Sequence, residues 1–108
     1  MSDLKSQHCQ PCRPGTLALD SNEVARLLKS LNGWAYADGV IKRELKFKNY
    51  YETMAFANAV AWIAHREDHH PDMEVGYNKC TVRYSTHSVG GLSQNDFICA
   101  AKVDALLG

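Results

Sequence analysis

The chain has 108 residues, 45% of them hydrophobic, a length typical of one domain. Its twelve basic and twelve acidic side chains cancel, so no overall positive charge draws the protein to nucleic acid or to an anionic membrane surface. The longest apolar stretch, residues 54–64, is too short to span a bilayer, and residues 1–7 lack the apolar core of a secretory signal, which together predict a cytoplasmic protein.

The N-terminal part of the chain differs in pattern from the rest. Residues 1–18 hold two of the three prolines and show no periodic apolar pattern, which predicts an extended arm followed by a single domain at 19–108. At the start of that domain, Asp20 and Glu23 have the spacing of a capping box. Apolar residues then recur at helical spacing, so we expect a first helix over about 21–32.

A β-hairpin and a second helix follow. Apolar residues alternate with polar ones over 34–48, on either side of a turn signal that begins at Asp38. Asn49 and Glu52 then have the spacing of a second helix start, and Pro71 prevents that helix from continuing. The pattern therefore predicts a hairpin and then a helix that ends in a group of histidines.

The last third of the chain repeats this arrangement. Alternation over 73–86, interrupted at Asn78, predicts a second hairpin, and Ser93 with Asp96 predicts the start of a third helix. The element order is α-β-β-α-β-β-α. That order favours an α+β fold, in which three helices cover one face of a four-stranded antiparallel sheet.

Four of the five histidines fall where these elements come together. His65 and His69 are four residues apart and are expected to share a face of the second helix, and His70 closes its last turn. His87 follows the second strand of the second hairpin. Imidazole both gives and takes a proton near neutral pH, so these side chains predict a proton-transfer site, with helix capping or a solvated surface as the alternative.

Metal binding is a weaker interpretation of the same residue types. His65 and His69 have the spacing of a zinc-binding helix but lack the glutamate directly after the first histidine that a metalloprotease needs. In the arm, His8, Cys9 and Cys12 supply three ligands where a structural zinc site needs four. We therefore predict no metal, and we expect all four cysteines to be reduced thiols.

Several short motifs occur together in the order and spacing of a known family. Over residues 20–107 the chain resembles the pterin-4a-carbinolamine dehydratases, and its N-terminal arm is similar to that of bacterial members. The motifs that carry the resemblance are Asp68-His69-His70-Pro71, Tyr77-Asn78-Lys79, Ser85-Thr86-His87, Gly91-Leu92-Ser93 and Asp96.

This resemblance implies a fold, an assembly and a reaction. The fold would be α+β with a four-stranded sheet, and the assembly a homodimer or homotetramer. The reaction would remove water from 4a-hydroxytetrahydropterin to give quinonoid dihydropterin, which recycles the cofactor of an aromatic amino-acid hydroxylase. Neither a metal nor an organic cofactor would be needed.

The resemblance also implies roles for individual residues. His69 and His87 would form the acid-base pair, His70 would help to bind the pterin, and Asp96 would orient a histidine or hold the loop. Where animal enzymes have a glutamate, this chain has His65, whose role the sequence leaves open. The implied substrate contacts are His70, Pro71, Thr86, Ser88, Val89 and Asp96.

Two other functions compete with a dehydratase. Animal relatives also serve as dimerisation cofactors of a transcription factor, so a non-catalytic protein-binding role is one alternative. A metal-dependent hydrolase that uses the same histidines is the other. A binding module has no need of imidazoles on two separate elements, which favours the enzyme.

Overall fold

The computed structural model describes residues 4–13 and 15–107. Three α-helices and four β-strands follow each other in the predicted order, so the α+β prediction is confirmed. No helix in these two ranges is long and apolar enough to cross a membrane. In chain order the elements are α1 (Ser21–Leu28), β1 (Ala35–Ala37), β2 (Val40–Lys46), α2 (Tyr50–Glu67), β3 (Asp72–Val75), β4 (Lys79–Tyr84) and α3 (Gln94–Leu106).

The four strands form one antiparallel sheet in the order β1-β2-β4-β3. In the central pair, Ile41 lies opposite Tyr84 and Leu45 lies opposite Cys80. Because side chains alternate along a strand, these residues share one face with Val82, and all five are buried. The helices supply the other side of the core, with buried side chains from all three: Val24, Leu27, Phe56, Val60, Phe97 and Val103.

Local hydrogen bonds start the helices where the sequence predicts. The Asp20 side chain accepts a hydrogen bond from the Glu23 N–H at 2.9 Å, and the Asn49 side chain accepts one from the Glu52 N–H at the same distance. The first helix is shorter than the predicted 21–32. It ends at Leu28 because the chain tightens into turns that hydrogen-bond three residues back, and these turns still bury Leu31.

The N-terminal arm packs against the domain, which differs from the expectation of an extended, unpacked segment. Leu4 is only 5% exposed and lies in a short 3-10 turn, Leu4–Ser6, that contacts α3. Further along, Gln10 and Asn95 form two hydrogen bonds, at 3.0 and 2.7 Å. The arm is therefore part of the packed structure up to the vicinity of Cys12, whereas the division of the chain at residue 18 stays a prediction.

Candidate active site

The end of α2 sets the position of His69. The helix stops at Glu67 because Asp68 takes a left-handed conformation, with φ 51° and ψ 43°. The N–H groups of Asp68 and His69 both donate to the Ala64 carbonyl and close the helix. The prediction that His65 and His69 share a helix face is therefore wrong, since the chain has turned away from the helix axis before His69.

His69 is held by a buried carboxylate. Its Nε2 lies 2.6 Å from Oδ1 of Asp96, whose side chain is fully buried at the start of α3. The other carboxylate oxygen accepts hydrogen bonds from the Thr86 hydroxyl at 2.7 Å and from the Ser93 backbone N–H at 3.0 Å. Asp96 thus caps α3, as predicted, and its other carboxylate oxygen orients the His69 ring through Nε2.

One face of the His69 ring lies against Tyr84. The two rings are nearly parallel, at 10°, with centroids 5.8 Å apart. The Tyr84 hydroxyl is fully buried, and no partner among the described residues meets hydrogen-bonding geometry. Burial, together with the nearby Cys99, Cys9 and Asp96, raises the pKa of this phenol, so Tyr84 is a neutral support for the imidazole.

His87 reaches the same region from a different element. Strand β4 ends at Tyr84, two residues before the predicted end of the hairpin at 86, and His87 begins a 3-10 turn, His87–Val89. The turn is closed by pairing of Thr86 with Gly91. It leaves His87 exposed at the mouth of a cavity of about 230 Å³.

The cavity brings together most of the predicted site residues. His69, His70 and His87 all line it, with Thr86 and Ser88 between them. Pro71 and Val89 lie outside the lining, and Asp96 lies behind His69. His65 is also outside, on the exposed side of α2, where its ring lies 5.3 Å from that of Trp62.

Four further residues of the cavity wall are not among the predicted site residues: Asp68, Asp72, Arg83 and Ser85. Asp72 of β3 and Arg83 of β4 are register partners, and Arg83 also forms an ion pair with Glu74. Ser85 lies between the end of β4 and the histidine turn. Arg83 and Ser85 alternate with the core residues of the hairpin predicted over 73–86, which indicates only that they face away from the core. The structure shows that these residues meet the histidines in one cavity.

A second cavity of about 220 Å³ adjoins the first and has the arm as one wall. Its lining includes Cys9, Cys12 and Glu67, and it shares His69 with the first cavity. Glu67 accepts hydrogen bonds from the Cys9 N–H at 2.8 Å and from His8 Nδ1 at 3.0 Å. Burial alone would raise the pKa of Glu67, but these two donors and Lys102 outweigh it and lower the pKa below the ordinary 4.5.

The candidate metal ligands of the arm do not converge. His8 contacts Glu67, Cys9 contacts Cys99, and the Cys12 thiol lies 3.9 Å from the Asn95 amide. Within residues 4–13 and 15–107, no three His, Cys, Asp or Glu side chains are placed to hold a metal ion together.

The fold and the cavity together define an α+β protein with a carboxylate-held histidine in a polar cavity, an arrangement suited to proton transfer. The sequence matches the profile of the family described as "Pterin 4 alpha carbinolamine dehydratase" over residues 17–106. The chain belongs to this family, as the sequence motifs predict.

Similar proteins agree with this assignment. A protein of Nitrosospira multiformis is 58% identical over 98% of this chain and 94% of its own length, and one of Nitrosomonas eutropha is 61% identical over 97% and 94%. Both are named, provisionally, as pterin-4-alpha-carbinolamine dehydratases. A crystal structure from Brucella melitensis, described as a transcriptional coactivator/pterin dehydratase, superposes with a TM-score of 0.81 at 33% identity and covers 84% of this chain and 99% of its own.

A further solved structure shares the fold alone. It is described as a pterin dehydratase-like RuBisCO assembly factor of the alpha-carboxysome, with a TM-score of 0.58 and 22% identity, and it covers 69% of this chain and 87% of its own.

Proposed function

We propose that this protein is a 4a-hydroxytetrahydropterin dehydratase, a hydro-lyase whose chemistry is carried by His69 and His87. The observation that supports this best is the His69 imidazole, which a buried carboxylate, Asp96, holds at 2.6 Å beside a cavity that His87 also lines. A pair of imidazoles, one oriented and one exposed, fits a reaction that moves two protons and needs neither a redox step nor a nucleophile.

The proposed reaction breaks the bond between C4a and its hydroxyl oxygen. One imidazolium donates a proton to the departing oxygen, which leaves as water. The second imidazole accepts the proton of N5, and the N5 electron pair forms the C4a=N5 double bond. No proton is lost or gained overall, so each turnover leaves the two histidines with exchanged protonation states that solvent resets.

In the proposed reaction, Asp96 orients His69 and determines which ring nitrogen faces the substrate. A carboxylate on Nε2 keeps a proton on that nitrogen, so the ring exchanges protons with the substrate through Nδ1. Asp96 is therefore a positioning residue in this proposal.

The remaining predicted contacts divide into two groups. His70, Thr86 and Ser88 line the cavity and are proposed to bind the pterin ring directly. Pro71 and Val89 act through the backbone, because the Pro71 carbonyl lies 3.4 Å from His70 Nδ1 and the Val89 N–H donates to the Thr86 carbonyl. These two would set the position of the neighbouring side chains.

The wider setting follows from the same proposal. The product is quinonoid dihydropterin, and the enzyme would recycle the cofactor of an aromatic amino-acid hydroxylase. We propose that it acts in the cytoplasm as a homodimer or homotetramer, without a metal or an organic cofactor. The description of the Brucella relative as a coactivator favours a protein-binding role as the second candidate function.

Stopped-flow measurement of dehydration tests the two candidates together. We expect His69→Ala and His87→Ala each to lower the enzymatic rate roughly 10²- to 10⁴-fold, the usual contribution of a general acid or base. His65→Ala is the matched control, since that histidine lies outside the cavity and should keep full activity. A protein-binding module would be indicated if the wild type and all three variants left the spontaneous rate unchanged.

A further inference from the structure

Two cysteines from opposite ends of the chain meet behind His69. The Sγ atoms of Cys9, in the arm, and Cys99, in α3, are 3.5 Å apart although 90 residues separate them. Both are free thiols. The distance exceeds the 2.03–2.05 Å of a disulfide bond by an amount that side-chain rotation and a small shift of the arm can close.

Neighbouring hydrogen bonds hold this pair in place. The Cys9 N–H donates to Glu67 at 2.8 Å, and the Cys9 thiol also lies 3.6 Å from the Asn95 carbonyl. The Cys99 thiol lies 3.9 Å from the His69 carbonyl. The pair is thus fixed between the end of α2 and the start of α3.

The two thiols differ in access. Cys99 is fully buried. The pKa of its thiol is raised, mainly by the contact with Cys9 and secondly by burial. Cys9 is only partly buried and lines the second cavity, which opens to solvent. An oxidant can therefore reach Cys9 first, and Cys99 is placed to react second.

We propose that Cys9 and Cys99 form a reversible disulfide that fastens the N-terminal arm to α3 behind His69. With a peroxide as the oxidant, the Cys9 sulfur attacks the O–O bond and becomes a sulfenic acid as one water leaves. The Cys99 sulfur then displaces the sulfenic oxygen as a second water, so two thiols and one hydrogen peroxide give one disulfide and two waters. A small dithiol reverses the bond by exchange.

This bond would act on the wall of the candidate active site. Cys9 borders the cavity that shares His69, and Cys99 touches the His69 backbone. Fastening the arm would keep that cavity closed on one side in oxidising conditions, whereas the arm of the reduced protein is held by hydrogen bonds and by the burial of Leu4.

Peptide mapping of the full-length protein tests the bond without using a pterin. The protein is treated with hydrogen peroxide, its remaining thiols are alkylated, and it is digested with trypsin without reduction. Cleavage after lysine or arginine, but not before Pro14, places Cys9 and Cys12 in the peptide 6–26 and Cys99 in the peptide 84–102. We expect these two peptides to be linked in the wild type and in Cys12→Ser, and separate in Cys9→Ser.

Thermal unfolding supplies a second readout. A disulfide that closes a loop of this length and fits the docked arm should raise the midpoint by roughly 10–20 °C, reversibly with dithiothreitol. The proposal is overturned if the peptides stay separate, if Cys12 or Cys80 is the linked residue, if the link joins two chains, or if the linked protein melts no higher than the reduced one. Neither readout involves dehydration. Failure of the disulfide proposal is therefore distinct from failure of the proposed function.

Discussion

Replacement of Asp96 by asparagine keeps the size of the side chain and removes its charge. In the wild type, the Asp96 carboxylate accepts hydrogen bonds from His69, Thr86 and Ser93. An amide has only one acceptor oxygen. If that oxygen serves Thr86 and Ser93, the NH₂ group faces Nε2 of His69. The neutral ring must then carry its proton on Nδ1, where the proposed mechanism needs a free nitrogen.

The size of the effect follows from the bond that is lost. A hydrogen bond to a charged group, here the Asp96 carboxylate, contributes about 1.5–3 kcal/mol. If that bond is made in the transition state, its loss corresponds to roughly 10- to 150-fold in rate. The wrong tautomer adds to this loss, and the equivalent exchange in a serine protease triad costs about 10⁴-fold in kcat. We therefore expect kcat to fall at least 10-fold, and KM to change little because Asp96 does not line the cavity.

Asp104→Asn is the matched control for this experiment. Asp104 lies eight residues further along α3 and also accepts three hydrogen bonds, from Trp34 Nε1 at 2.8 Å, Arg43 Nη1 at 2.6 Å and the Asn32 N–H at 3.1 Å. Both variants should melt at a lower temperature, but only Asp96→Asn should lose activity in stopped-flow assays of the folded protein. Equal kcat values for the two variants would refute the role given to Asp96.

Three other predictions concern neighbouring groups. His70→Ala should raise KM more than it lowers kcat, since we assign His70 to substrate binding. Steady-state kinetics would measure both constants for this variant and for His87→Ala, and a fall in kcat larger than the rise in KM for His70→Ala would contradict the assignment. Tyr84→Phe should keep activity and should not lower the free energy of unfolding measured in urea, because among the described residues no group meets the buried hydroxyl in hydrogen-bonding geometry. Glu67 has a lowered pKa, so its contribution to stability is complete above pH 4.5 and is lost as the pH falls through the folded-state value. Melting of wild type and Glu67→Gln between pH 7 and 3 should therefore converge at acid pH, and a constant difference would contradict this assignment.

Local signals in the sequence predicted where the helices start. Non-local packing explains where the structure differs from the prediction. Asp20 and Asn49 bond to residues three positions away, so the sequence alone contains both partners. The end of α2 depends on the left-handed conformation of Asp68, which neither the histidine spacing nor Pro71 reveals. Likewise, Leu4 is buried by α3, almost a hundred residues away in the chain.

The candidate site also depends partly on signals that the sequence contains and partly on non-local packing. The hairpin order predicted that His69 and His87 approach each other, and the cavity contains both. The contact between His69 and Asp96 could not be derived from spacing, because capping already accounted for the aspartate. The stacking of Tyr84 on His69 depends on how the end of α2 meets the sheet, which the apolar alternation of the hairpin does not reveal.

The most direct test of the account is the rate at which 4a-hydroxytetrahydropterin loses water in the presence of the wild-type protein. The substrate would be generated in a stopped-flow instrument, and formation of quinonoid dihydropterin followed at several protein concentrations. The account predicts a rate that rises in proportion to protein above the spontaneous reaction, and that saturates with substrate. A rate equal to that of buffer alone at every protein concentration would contradict it.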